Sequence, residues 1–181
     1  MGSPPPKKFK VTKSAGKVMA TVFWDNQGVI LTNYLPKGST VTREYHATEL
    51  RQLKEALKTK RRGKLRNGVL LLQDNAPEHT ACIAASAATE CGYELLPHPP
   101  YSPSDFYLFT KLKEHLRGSQ HTCDNDVIEA VAECSADRDT AFYQTGIDML
   151  QKRWTKCIEV HGHYVERWCE LNYCIAFAWL L

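Results

Sequence analysis

The chain lacks any apolar run long enough to cross a bilayer. Its carboxyl-terminal stretch Cys174-Ile175-Ala176-Phe177-Ala178-Trp179-Leu180-Leu181 falls far short of the ~20 apolar residues that a spanning helix needs. No membrane anchor is expected. A strong charge of one sign is also missing: the formal net charge is +3, so bulk composition does not mark a nucleic-acid binder. Cysteine is present seven times, an odd number, scattered and without a signal peptide, which predicts free thiols in a reduced intracellular compartment rather than a disulfide framework. Zinc would want four converging ligands, and the spacings among Cys157, His161, His163, Cys169 and Cys174 follow no familiar ligand pattern. No internal repeat is visible. With 181 residues the chain fits one domain and can bury a core unaided.

Charge is informative in its distribution. Lys7, Lys8, Lys10, Lys13 and Lys17 crowd the start, and Lys58, Lys60, Arg61, Arg62, Lys64 and Arg66 crowd one predicted helix end and its loop. Such clusters can neutralise phosphates and would make binding fall with salt. They also fit a solvated face, and cations at a helix carboxyl end favour the macrodipole.

Along the chain, residues 1–16 read as a basic extended lead, because the prolines at 4–6 deny helix and offer no ladder donors. Val18 to Trp24 and Val29 to Tyr34 alternate around Asp25-Asn26-Gln27-Gly28 and predict a β-hairpin, with turn chemistry for Asp25. Thr40 or Thr42 can cap a helix to about Arg62 that buries Tyr45, Leu50, Leu53 and Leu57. Val69 to Gln73 is uniformly apolar and belongs inside a sheet. An Ala-rich helix from Thr80 to Cys91 and a strand Tyr93 to Leu96 complete a β-α-β unit with a parallel pair. Three amphipathic helices follow, one starting at Ser104 or Asp105, one capped by Asp124, and one over about Thr140 to Val160. Phe142, Tyr143 and Trp154 read as packing.

Two acids stand out against this background. Asp74 ends the apolar strand, where open α/β sheets bind their ligands, and Asp105 opens a helix after a proline-rich turn. Carboxylates converging there suit Mg²⁺ or Mn²⁺. An Asx turn beside Pro77 and an ordinary amino-terminal helix carboxylate are the structural readings of the same two residues. Asn75 and His79 can orient Asp74 through hydrogen bonds.

These residues carry a resemblance. Asp74-Asn75-Ala76-Pro77-Glu78-His79-Thr80, then His98-Pro99-Pro100-Tyr101-Ser102-Pro103, then Ser104-Asp105-Phe106-Tyr107-Leu108-Phe109 resemble the catalytic domain of mariner-type DNA transposases. Pro6-Lys7-Lys8-Phe9-Lys10-Val11, Val22-Phe23-Trp24-Asp25, Tyr34-Leu35-Pro36-Lys37-Gly38 and Arg153-Trp154-Thr155-Lys156-Cys157-Ile158-Glu159 extend the match from about Gly2 to about Glu166. The resemblance implies an α/β ribonuclease H-like mixed sheet with flanking helices over 17–166 and an unmatched extension over 167–181. It further implies metal-dependent DNA cleavage and strand transfer in the nucleus, with Asp74 and Asp105 as catalytic metal ligands.

The resemblance also sets expectations about what is missing. The family's first metal-binding acid lies in a Gly-Asp-Glu segment on a central first strand, and its end-recognition helix-turn-helix domains precede that; both map upstream of Gly2. The expectation is therefore a truncated domain, lacking the central strand, inactive alone and retaining DNA affinity. The alternative is a noncatalytic module that pairs with a full-length transposase, a second copy or another protein. Without its central strand the hairpin should pair directly with the strand ending at Asp74, or leave an exposed edge and marginal stability. The family's Asp-Leu-Ala-Pro between the equivalents of Pro103 and Ser104 is absent, which predicts a displaced Asp105.

Overall fold

The computed structural model describes residues 18–74, 76–96, 102–119 and 121–159, and the backbone of residues 176–180. Strands β1 (Ala20–Asp25) and β2 (Gly28–Tyr34) form the expected hairpin, with Ala20 opposite Tyr34 and Asp25 opposite Gly28. Gly28 takes φ +131°, a conformation that side chains resist, and so lets the chain reverse. The pleat of β1 sends Phe23 to one face and Val22 and Trp24 to the other.

Helix α1 (Arg43–Lys60) begins where Thr42 Oγ1 accepts the Tyr45 N–H at 3.2 Å. Its Leu50, Leu53 and Leu57 are fully buried, each contributing roughly 1.5–3 kcal/mol; Tyr45 is only half-buried. Gly63, at φ +90°, turns the chain into a 3₁₀ turn at Lys64–Arg66. Strand β3 (Val69–Gln73) follows. The Ala-rich helix starts earlier than the sequence suggests and in two pieces: α2 (Pro77–Thr80), an extended Ala81, then α3 (Cys82–Cys91). Pro77 at the first helical position favours that early start. Gly92 ends α3 at φ +81° and leads into β4 (Tyr93–Leu96), which pairs in parallel with β3 from Val69–Tyr93 to Leu72–Leu96.

A π-helical segment, Ser104–Leu108, runs directly into α4 (Phe109–Leu116). Helices α5 (Asp124–Ala136) and α6 (Thr140–Glu159) complete the second half. The cap of α5 is Cys123 rather than Asp124. Asp126 Oδ2 accepts the Thr122 and Cys123 N–H groups at 2.7 and 3.1 Å, while Asp124 pairs with Lys37 at 3.4 Å.

Five strands run in the order β2-β1-β5-β3-β4. The central one is β5 (Ala176–Leu180), parallel to β1 through Thr21–Ala176 and Val22–Phe177, and antiparallel to β3 through Leu71–Leu180, Leu72–Trp179 and Gln73–Ala178. Neither expected outcome holds: the hairpin does not pair with β3, and no edge is left between them. Unpaired N–H and C=O groups along β1 and β3 both find partners in the same short strand, which is why the carboxyl-terminal segment joins the sheet. Pairing directions also place the end of β1 and the end of β3 at opposite rims.

Apolar side chains fill both faces. Phe23, Ile30 and Leu71 pack with α1 and α3 on one side; Val22, Trp24 and Leu72 pack with Phe109, Tyr143 and Leu150 on the other. Phe142 and Trp154 join the second core, as packing residues should. Among the described residues no helix is long and apolar enough to cross a membrane, and Cys82, Cys91, Cys123, Cys134 and Cys157 are free thiols.

Candidate functional site

Asp74 stands just past the end of β3. Its Oδ1 accepts the Ala76 N–H at 3.1 Å, an Asx turn that starts α2, and also accepts from His79 Nδ1 at 2.5 Å. The turn reading and the ligand reading are thus compatible. His79 is buried, whereas the Asp74 side chain keeps 33% of its surface open. Asn75 lies outside the described residues.

Asp105 reaches the same rim from the other half of the chain. The neighbouring Ser104 is fully buried, and its Oγ accepts from Trp24 Nε1 at 3.0 Å. The Asp105 N–H bonds Ser102 O at 3.0 Å, and Thr110 Oγ1 donates to Asp105 O at 3.0 Å. Crowding by surrounding protein and, second, the charge of Asp74 push the Asp105 carboxyl up to about 6, with Lys113 opposing. The residue remains open to solvent at the rim, so it has lost part of its hydration and not its access to an ion. The two carboxylates therefore face one neighbourhood and repel each other there.

Such a pair fits a hard dication, which takes anionic oxygen and relieves the repulsion. Among the described residues no group of three or more His, Cys, Asp or Glu gathers to hold a metal. Asp74 and Asp105 could supply two donors to a site that would need more.

The basic residues divide. Arg61 donates to Asp25 through Nε at 2.9 Å and through Nη2 at 3.0 Å, and Lys64 Nζ adds a third bond at 3.0 Å. Both cations are engaged by a fully buried carboxylate. Asp25 also accepts the Gln27 N–H at 2.9 Å, the turn chemistry expected of it. Burial would raise its pKa, but the bonds from Arg61, Gln27 and Lys64 outweigh that and hold it below the ordinary carboxylate value. Lys58 pairs with Glu55 at 2.6 Å on the surface; Lys60, Arg62 and Arg66 are exposed. Lys7, Lys8, Lys10 and Lys13 lie outside the described residues, as do His161, His163, Cys169 and Cys174.

Sequence reading passed over three supports of the rim. His46 and Glu49 are buried on α1 behind His79; the signal was their place on the apolar stripe of Leu50, Leu53 and Leu57. The Trp24–Ser104 bond had no local signal. Gly146 of α6 lies so near the π-helical segment that an added Cβ would sit 2.6 Å from the Tyr107 ring and 3.2 Å from Trp24.

Comparison with known proteins agrees with this architecture. A family model described as transposase (partial DDE domain) matches residues 1–67. The chain is 34% identical over 171 residues to the mariner Mos1 transposase of Drosophila mauritiana, covering 91% of this chain and 50% of that protein. It is 36% identical over 167 residues to the human histone-lysine N-methyltransferase SETMAR, covering 89% of this chain and 24% of that protein. The chain thus spans half or less of these curated relatives. Among solved structures, the Mos1 catalytic domain with raltegravir and Mn matches at TM-score 0.75 and 32% identity, covering 88% of each chain. The Mos1 paired-end complex with Mn matches at TM-score 0.78 and 33% identity, covering 92% of this chain and 48% of that one. The fold is accordingly the mixed α/β, ribonuclease H-like one of that catalytic domain.

Proposed function

Because this chain belongs to the mariner transposase family through its catalytic domain, we propose that it is a DNA-binding, Mg²⁺- or Mn²⁺-binding transposase module. Asp74 and Asp105 serve as two of the metal ligands. The observation that carries the reading is the placement of Asp74, just past the end of β3, and Asp105, in the π-helical segment, near enough for the charge of Asp74 to add to the effect of burial on Asp105. Support also comes from relatives solved with Mg and with Mn and as paired-end complexes.

In this role a bound dication supplies charge for phosphoryl transfer, activating a hydroxyl or stabilising a leaving oxygen. The chain's own residues hold it: Asp74 by a carboxylate fixed through the Ala76 N–H and His79, Asp105 by a segment fixed through Ser104 and Trp24. Two carboxylates hold two dications weakly against their mutual repulsion. On this reading the polypeptide alone binds metal and DNA without cleaving a strand, and works beside a second copy or a full-length transposase in the nucleus. DNA phosphates would meet Lys58, Lys60, Arg62 and Arg66 together with Lys7, Lys8, Lys10 and Lys13.

The test is a nicking assay with transposon-end DNA and Mg²⁺ or Mn²⁺, run beside a gel shift over a salt series. Salt-sensitive binding without nicking is expected. Turnover that Asp74→Ala abolishes would overturn the inactive part of the reading. Binding indifferent to salt, but dependent on an apolar surface, would favour a noncatalytic protein-interaction module instead.

A further inference from the structure

Behind Asp74 lies a chain of buried polar groups that simple packing does not call for. His46 and Glu49, 0% and 1% exposed, occupy positions of α1 that face the core beside Leu50 and Leu53. Burying such groups costs free energy unless they find good partners, and apolar residues of similar volume would fill the same space at lower cost. Glu49 Oε1 accepts from Asn33 Nδ2 on β2 at 3.5 Å, whereas the partners of His46 lead towards the rim. Gln73, the last residue of β3, donates from Nε2 to His79 O at 3.1 Å, which turns its Oε1 towards His46 Nε2 at 3.0 Å. His46 therefore donates from Nε2. Its other nitrogen, Nδ1, faces Glu49 Oε2 across 3.7 Å, and neither of these atoms has a hydrogen-bond partner among the described residues. The His46 and His79 rings stack with centroids 4.1 Å apart. His79 in turn holds Asp74.

We propose that His46, braced by Glu49, is a positioning residue for Asp74. It fixes His79 twice, by the ring stack and through Gln73, and His79 fixes the rotation of the carboxylate that meets the cation. Outer groups that orient a metal ligand are commonly needed for full affinity, and side chains locked by packing hold such geometry better than exposed ones. The inference rests on the metal-site reading of Asp74.

The test measures Mn²⁺ affinity of the full chain by electron paramagnetic resonance, together with the ¹⁵N imidazole shifts of His79. His46→Leu leaves Gln73 Oε1 and Glu49 without that partner and is expected to fold with a lower thermal midpoint, weaken Mn²⁺ binding by about tenfold or more and alter the His79 spectrum. His46→Gln, which can still donate to Gln73, should recover part of the affinity. Glu49→Gln should fall between them. Native affinity with a native His79 spectrum in His46→Leu would overturn the proposal; if that variant does not fold, native values in both His46→Gln and Glu49→Gln would do so. Wild-type protein that binds no Mn²⁺ would overturn the metal-site reading instead, and the His79 spectrum of the variants would still decide whether His46 positions it.

Discussion

Opposite rims of one sheet hold aspartates in opposite electrostatic company. Asp25, at the end of β1, meets Arg61 and Lys64 and has its carboxyl held below the ordinary value. Asp105, at the rim where β3 ends, meets Asp74 and is pushed up to about 6. The first arrangement satisfies its charges internally and ties the hairpin tip to the end of α1. The second sets two carboxylates against each other, with only Lys113 opposing the rise at Asp105, an arrangement that a bound cation would relieve. Residue type is the same; the neighbours set opposite electrostatic environments.

The comparison breaks most visibly at Asp25. Asp25→Ala leaves two cations packed without their counter-charge and should cost about 3–5 kcal/mol, read as a lower denaturant midpoint, while Mn²⁺ affinity of the folded fraction is unchanged. Next is Gly146→Ala, whose new methyl meets Tyr107 and Trp24. Overpacking there should cost about 1–3 kcal/mol and, because Trp24 anchors Ser104 beside Asp105, should also weaken Mn²⁺ binding. Asp105→Asn should act in the reverse sense on stability. Removing a repelled charge raises the thermal midpoint at pH 7.5 in metal-free buffer, and the stabilisation that Mg²⁺ gives the wild type disappears.

Smallest, and of opposite sign at the two rims, is the pH dependence. Asp25 has a lowered folded pKa, so its contribution is present above the unfolded value of about 3.9 and is lost as pH falls below it. Asp105 has a raised one, so its contribution is present below about 3.9 and is lost as pH rises towards about 6. Denaturant midpoints of wild type and Asp105→Asn should accordingly diverge between those limits. Parallel curves would remove the contrast.

Much of this was legible from residues alone. The alternation of Val22, Phe23 and Trp24, the Thr42 cap and the stripe of Leu50, Leu53 and Leu57 each act within a few residues, so local pattern sufficed. Asp74 and Asp105 stood out for the same reason, as acids at element ends. Arg61 and Lys64 were misleading because a cluster of cations looks identical in sequence whether it faces water or a buried acid. His46 lay on an apolar stripe, but nothing local says that a second imidazole stacks on it.

The amino-acid sequence by itself determined most elements and the two candidate acids, but not the early start at Pro77, the Cys123 cap or strand β5, since hydrogen-bond patterns and side-chain periodicity are set over one or two turns. Tertiary structure alone decided that Asp74 feels Asp105, that Asp25 takes Arg61 and Lys64, and that β5 fills the centre of the sheet between β1 and β3. Those outcomes depend on which distant segments the closed chain brings within a few ångströms, where Coulomb forces and unpaired backbone groups select partners that no local pattern names.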